Sequence, residues 1–110
     1  MATAEEFSAI EIRVGTVLEA HPFPEARKPA IKLVIDFGSE IGVRRSSAQL
    51  TMHYTPESLV GRQVVAAVNL GTRRIATFDS QVLVLGALPT AKEVVLLTLD
   101  QPVVNGTRIG

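Results

Sequence analysis

Ile10-Glu11-Ile12-Arg13-Val14-Gly15-Thr16-Val17-Leu18 sets Ile10, Ile12 and Val14 on one face of an extended chain and Glu11 and Arg13 on the other. Alternation with period two marks a half-buried strand. Gly15 interrupts it, as glycine does where a strand bulges or turns a barrel corner. Upstream, Thr3-Ala4-Glu5-Glu6 has the spacing of a capping box, with Thr3 as N-cap and Glu6 at N3. Phe7 and Ile10 give the short helix that follows one apolar edge. Downstream, Pro22, Pro24 and Pro29 fall within one short stretch, and this density of proline forbids both helix and central strand.

The pattern then continues outward. Residues 30–37 read as a second strand closed by Gly38, and residues 41–50 as a third. Thr55-Pro56-Glu57-Ser58-Leu59-Val60-Gly61 carries an N-cap, a proline at the first helical position and a glycine stop, which predicts one short helical turn. Residues 63–70 and 81–88 supply strands four and five. Three strands, a short helix and two strands form the order of the OB-fold, so the expected class is all-β: a five-stranded barrel over residues 1–110 as one domain. The chain continues past the fifth strand. Val94-Val95-Leu96-Leu97-Thr98-Leu99 is apolar on both faces, and Val103-Val104-Asn105-Gly106 carries a hairpin signal. This β extension either folds back on its own barrel or meets its copy in a second subunit. Symmetric pairs are the commonest oligomers, and the homodimer is the expectation, with Phe7 of the N-terminal helix beside Val94, Val95, Leu96, Leu97 and Leu99.

The 110 residues contain no cysteine, which excludes disulfides, zinc-thiolate sites and a cysteine nucleophile. The start of the chain lacks a basic and then apolar leader, and no apolar run nears the roughly 20 residues that span a bilayer. The expectation is a cytoplasmic protein without membrane insertion. Neither His21 nor His53 has a catalytic or metal-ligating neighbour at a productive spacing, and no phosphate-cradling glycine loop is present. The sequence therefore predicts no enzyme, no metal and no cofactor.

Net charge is zero, but it is unevenly spread. Residues 1–25 hold five acids against Arg13 alone; residues 41–78 hold five arginines against Glu57 alone. Local field steers anionic partners more than net charge does. Arg27, Lys28 and Lys32 belong to the second strand and the loop before it, Arg44 and Arg45 to the third, and Arg73 and Arg74 to the loop joining strands four and five. These are the elements that form the usual OB-fold ligand face. Guanidinium groups suit phosphate, so RNA is one candidate partner. Each arginine taken singly is as readily a solvated rim residue. Strands two and three offer only Phe37 as a stacking ring, which favours folded over single-stranded RNA. Phe23 and Phe78, on loops, either plug the barrel end or line an apolar pocket bordered by arginines. Such a pocket suits an extended peptide with apolar and acidic side chains.

Four motifs run in order along the chain: Ile12-Arg13-Val14-Gly15-Thr16-Val17, His21-Pro22, Arg44-Arg45-Ser46-Ser47-Ala48-Gln49 and Asn69-Leu70-Gly71-Thr72-Arg73-Arg74-Ile75-Ala76. Together they resemble the tRNA-binding domain appended to some methionyl- and phenylalanyl-tRNA synthetases. Pro24-Glu25-Ala26-Arg27-Lys28-Pro29-Ala30-Ile31-Lys32-Leu33, Ser80-Gln81-Val82-Leu83-Val84-Leu85-Gly86 and Asn105-Gly106-Thr107-Arg108-Ile109-Gly110 are similar to the free-standing bacterial chaperone branch of that family. The resemblance covers essentially the whole chain. It implies an OB-fold homodimer built through the N-terminal helix and the C-terminal extension. It also implies a chaperone that binds unfolded preproteins and assists the export machinery, in a family that otherwise binds tRNA. By position, the family's ligand face falls on Arg44, Arg45, Ser46, Gln49, Asn69, Arg73, Arg74 and Ser80. Where tRNA-binding relatives commonly carry Ser-x-Gly-Met, this chain has Ser80-Gln81-Val82-Leu83, and Val82 replaces a glycine that permits close backbone approach. The resulting expectation is a chaperone for unfolded polypeptide, with structured RNA, chiefly tRNA, as the alternative partner.

Overall fold

The first strand bends around the core because its middle has no side chain. The computed structural model describes residues 1–110, and β1 (Ile12–Pro22) runs eleven residues through it. A Cβ on Gly15 would lie 2.6 Å from Ile35 Cγ2 and 2.8 Å from the Phe37 ring, so only glycine lets β1 lie this close to the core. A bulge between Val17 and Glu19 adds curvature. The strand thereby pairs antiparallel with two partners, its first half with β4 (Gln63–Ala67) and its second with β2 (Ile31–Asp36).

The five-stranded sheet has the order β3-β2-β1-β4-β7, with β3 at Val43–Ala48 and β7 at Leu83–Val84. Inside it, Val17, Ile31, Leu33, Ile35, Phe37, Leu50, Leu59 and Val64 form one buried aliphatic core. The sheet closes where residues 80–82 meet β3. Gln81 N–H donates to the Arg45 carbonyl at 2.8 Å, and its side-chain oxygen accepts from Arg45 N–H at 2.9 Å. Ser46 Oγ donates to the Val82 carbonyl at 2.9 Å, and Ser80 Oγ accepts from Ser47 N–H at 3.0 Å. This near-closed all-β barrel is the OB-fold read from the strand order.

Both helix signals are realised. Thr3 and Glu6 form the capping box of α1 (Ala4–Ala9), and Thr55 caps the single turn α3 (Pro56–Leu59), whose Leu59 is buried. Several boundaries differ. A helical turn, α2 (Gly38–Ile41), replaces the expected start of the third strand. The fifth strand is not continuous: β6 (Phe78–Ser80), β7 and β8 (Gly86–Thr90) divide it, because residues 80–82 serve β3 while Leu85 N–H bonds to Val65 of β4. The loop after strand four holds a hairpin of β5 (Arg73–Ile75) with β6, and its tip residue Ala76 has φ +53°.

The C-terminal extension departs most from expectation. β8 and β9 (Glu93–Leu96) pair across Gly86, where a Cβ would meet Val94 Cγ1 at 2.6 Å. Leu96 is only 8% exposed and joins the core, with Val94 packed against it; Val95 and Leu97 remain exposed and Leu99 half-buried. Leu96 is thus a core residue of its own barrel and is not available to a second subunit. Asn105-Gly106 forms no hairpin. It docks against Phe37-Gly38, and a Cβ on either glycine would strike the opposite carbonyl oxygen at 2.6 Å. Gly38 and Gly106 both have positive φ, at +87° and +92°, so the turn chemistry that suggested a hairpin is used for backbone-to-backbone approach. Gly106 N–H then bonds to Val14 O, Val14 N–H to Thr107 O and Ile109 N–H to Ile12 O, and the tail covers the edge of β1 left free by β2. Beside this tail, hydrogen bonds from Arg13, and behind them its charge, hold the Glu11 carboxyl below the usual carboxylate range.

Two stability measurements check these constraints. Gly15→Ala forces a methyl into Ile35 and Phe37, and urea unfolding should lose about 1–3 kcal/mol; an unchanged midpoint would contradict the close packing. Ala76→Gly removes a left-handed alanine worth about 1–2 kcal/mol against a glycine entropy cost of about 0.4–1 kcal/mol, so the net should be a gain. Ala76→Val should instead lower the midpoint.

Candidate functional site

Alternation along β3 divides the candidate residues between two faces. Arg45 and Ser47 point outward with Lys32 and Val34 of β2, in the register Lys32–Ser47 and Val34–Arg45. Arg44, one residue along, lies on the other side and is half-buried, so the two adjacent arginines do not form one patch. Ser46 is fully buried and spends its hydroxyl on barrel closure. Ser80 is buried as well, as the acceptor for Ser47. Asn69 is occupied elsewhere: its oxygen accepts from Glu11 N–H and its amide donates to Ala9 O, fastening α1 to β1. All three side chains are thus engaged within the fold, Ser46 and Ser80 buried and Asn69 exposed.

The remaining candidates converge. A groove of about 990 Å³ opens between the 25–30 loop, the end of β3, the β5–β6 hairpin and the β7–β8–β9 segment. Arg27, Lys28, Arg73 and Arg74 line it together with Gln49, and Glu25 is its only acid. Its apolar lining comes from Ile75, Leu83, Leu85, Leu88 and Val94 with several alanines. Arg74 is ion-paired with Asp79 at 2.8 Å, whereas Arg27, Lys28 and Arg73 have no carboxylate partner. Sequence reading missed the apolar half of this groove. Leu83 and Leu88 read only as members of a continuous fifth strand, and Val94 as part of an interface between subunits. The signal lay in the length of the apolar stretch, which exceeds what a small barrel interior holds.

Phe23 and Phe78 also come together, but not as an open pocket. Their rings pack edge to face with centroids 5.5 Å apart, and Phe23 is 4% exposed. Phe23 is therefore the plug, while Phe78 is half-buried on the outer face near Lys32 and Arg45. Phe37, the ring expected on that face, is completely buried. Val82 points into the core and has no positive φ, so the branched side chain at the family's glycine position fills the barrel rather than the ligand face. No group of three or more His, Asp or Glu side chains is placed to hold a metal ion, and no helix is long and apolar enough to cross a membrane.

Comparison with known proteins adds the family. The profile described as "Putative tRNA binding domain" matches residues 12–108. The chain is 35% identical to the methionine–tRNA ligase of Thermotoga maritima over 107 residues, 97% of this chain and 16% of that enzyme. It thus spans about a sixth of the length of that ligase. Solved structures match over the full length. The chaperone CsaA of Bacillus anthracis str. Ames is 52% identical with a TM-score of 0.95, covering 100% of this chain and 99% of that one. The CsaA chaperone protein of Picrophilus torridus is 45% identical with a TM-score of 0.91, with 100% of both chains covered. The chain belongs to the tRNA-binding-domain family, and the proteins it resembles over its full length include the CsaA chaperones.

Proposed function

We propose that this protein is a non-catalytic cytoplasmic chaperone that holds unfolded preprotein segments in the cation-rimmed groove and delivers them to the export machinery. The observation that carries this reading is the lining of the groove itself. Ile75, Leu83, Leu85, Leu88 and Val94 offer apolar surface, and Arg27, Lys28, Arg73 and Arg74 surround it. Extended polypeptide with apolar and acidic side chains matches both parts, since burial supplies affinity and charge supplies orientation. The full-length likeness to CsaA chaperones supports the same assignment. A second reading, structured RNA and chiefly tRNA, is supported by the family match, by the arginines and by a Val82 that leaves the ligand face open.

A homodimer belongs to the proposal, through the N-terminal helix read in the sequence together with the Val103–Val104 tail in place of the 94–99 segment. Helix α1 buries none of its residues and exposes Phe7 at 49%. It is fastened to the tail by Arg108, which donates to Ser8 O at 2.8 Å, and Val104 in that tail is 80% exposed. Phe7, Ile10, Val103 and Val104 are apolar and exposed, and burying them between two copies removes them from water.

A salt titration separates the two ligands. A complex resting on several phosphate contacts loses orders of magnitude in affinity between roughly 0.05 and 0.2 M salt, whereas apolar burial barely changes. A denatured preprotein should remain bound across that range while tRNA is released. Leu88→Asp should weaken the preprotein more than tenfold, because it sets a charge in the apolar lining. Tight tRNA binding with no preprotein binding at any salt would make the RNA reading the correct one. In sedimentation at micromolar concentration the protein should run as a dimer, and Phe7→Asp with Val104→Asp should run as a folded monomer. A wild-type monomer would remove the dimer from the proposal.

A further inference from the structure

Two cations converge on one aromatic pair beside the groove. Lys32 stands opposite Ser47 and Arg45 opposite Val34, so the two are diagonal neighbours on the outer face of β2 and β3. Such neighbours lie about 7–8 Å apart, within reach of long side chains. Lys32 Nζ sits 5.2 Å from the Phe23 ring centre and 5.8 Å from that of Phe78. The Arg45 guanidinium carbon is 5.4 Å from the Phe78 ring centre. Like charges held this close repel, and the quadrupole of the rings offsets part of that repulsion.

Neither cation has a carboxylate partner. The acids nearest in register are engaged with other residues. Glu19, opposite Val34, is held by His21 at 3.1 Å, and Asp79, next to Phe78, is paired with Arg74. The support is rigid. Gln81 fixes the Arg45 main chain at both its N–H and its carbonyl, and buried Phe23 backs Phe78. A preorganised pair of donors without a counter-ion is an anion site in waiting.

We infer that Lys32 and Arg45, seated on Phe78, form an anion subsite that receives an Asp or Glu side chain of a polypeptide lying in the groove. The inference rests on the peptide reading of the groove, which it extends. Ser47 is outward-facing opposite Lys32 and also lines the groove, so the subsite is continuous with it. A peptide carboxylate is favoured over an RNA phosphate because both cations cover the Phe78 ring and deny it to a stacking base. The apolar lining alongside likewise suits side chains. The preferred client segment is an apolar run flanked by an acid, and a basic flank is repelled.

Fluorescence anisotropy with two labelled peptides tests this. Both carry the same Leu-Val run, one flanked by Asp and the other by Asn. Wild-type protein at low salt should bind the Asp peptide about tenfold tighter, the size of one hydrogen-bonded charge contact. The ratio should fall toward one in Lys32→Met with Arg45→Met and in Phe78→Leu, and also at high salt. It should persist in Lys32→Arg with Arg45→Lys, which keeps both charges. Matching thermal midpoints establish that each variant is folded. Equal binding of the two peptides by wild type overturns the subsite while leaving the groove reading intact. Binding of neither peptide overturns both. If the double Met variant loses a short RNA but keeps its Asp-over-Asn ratio, the cations serve phosphate and the inference is wrong.

Discussion

The seam between β3 and residues 80–82 holds the barrel shut, and the ligand face is arranged around it. It is not an ordinary strand ladder. The bonds that join the two edges run mostly through side chains, namely the Gln81 amide, the Ser46 hydroxyl and the Ser80 hydroxyl. Each replaces a backbone partner that a continuous fifth strand would have supplied. The need follows from topology: the same short segment must reach β3 on one side and β4, through Leu85, on the other. A regular strand would satisfy one edge and leave the other unpaired, and unpaired backbone groups at a barrel seam are costly. The split keeps β7 and Leu85 on β4 while β8 pairs with β9 instead, and Leu83, Leu85 and Leu88 of this stretch form the apolar wall of the groove.

That seam also explains which residues are structural. Ser46 and Ser80 sit where a ligand-face motif would place binding hydroxyls, yet both are turned to closure. Arg45 is left pointing outward with its main chain immobilised, because Gln81 bonds to it on both sides. Rigid support matters for recognition, since a charged side chain whose backbone is already ordered loses less freedom when it meets a ligand. The positive φ at Ala76 has a related meaning. The tip of the β5–β6 hairpin lines the groove and is held in a conformation that alanine tolerates poorly.

The sequence made the skeleton legible wherever a local rule had one outcome. Thr3 with Glu6, Thr55 with Pro56 and the alternation after Ile10 each led to the element found. Asn105-Gly106 failed differently. The dipeptide does supply the positive φ that a hairpin needs, but that freedom serves equally where two backbones press together, and only Phe37-Gly38 opposite shows which is meant. The split fifth strand was hidden because a glutamine that imitates a backbone pair looks like any polar residue in a strand. Other features were readable and passed over. Period two alone separates Arg44 from Arg45 and turns Ser46 inward, given that Leu33 opposite it is buried. Phe23 and Phe78 are read together at the barrel end, but no local pattern tells that Phe23 is buried as the plug while Phe78 stays half-buried.

A groove with an apolar lining and a cationic rim has two attractive terms of different range. The charges act across a Debye length and weaken with salt; the apolar surface acts only at contact and does not. A polyanion such as tRNA can be held by the rim alone, while an unfolded polypeptide needs the lining and uses the rim for orientation. Shifting one chain between these partners requires no change of fold, only a change in how much apolar wall is exposed and how many cations are left without partners. Here Leu83 and Leu88 are exposed beside the groove, Arg74 is neutralised by Asp79, and Arg44 is turned away. Each of these moves the balance from phosphate toward polypeptide. On the proposed function, that is how a barrel of the tRNA-binding family comes to hold polypeptide.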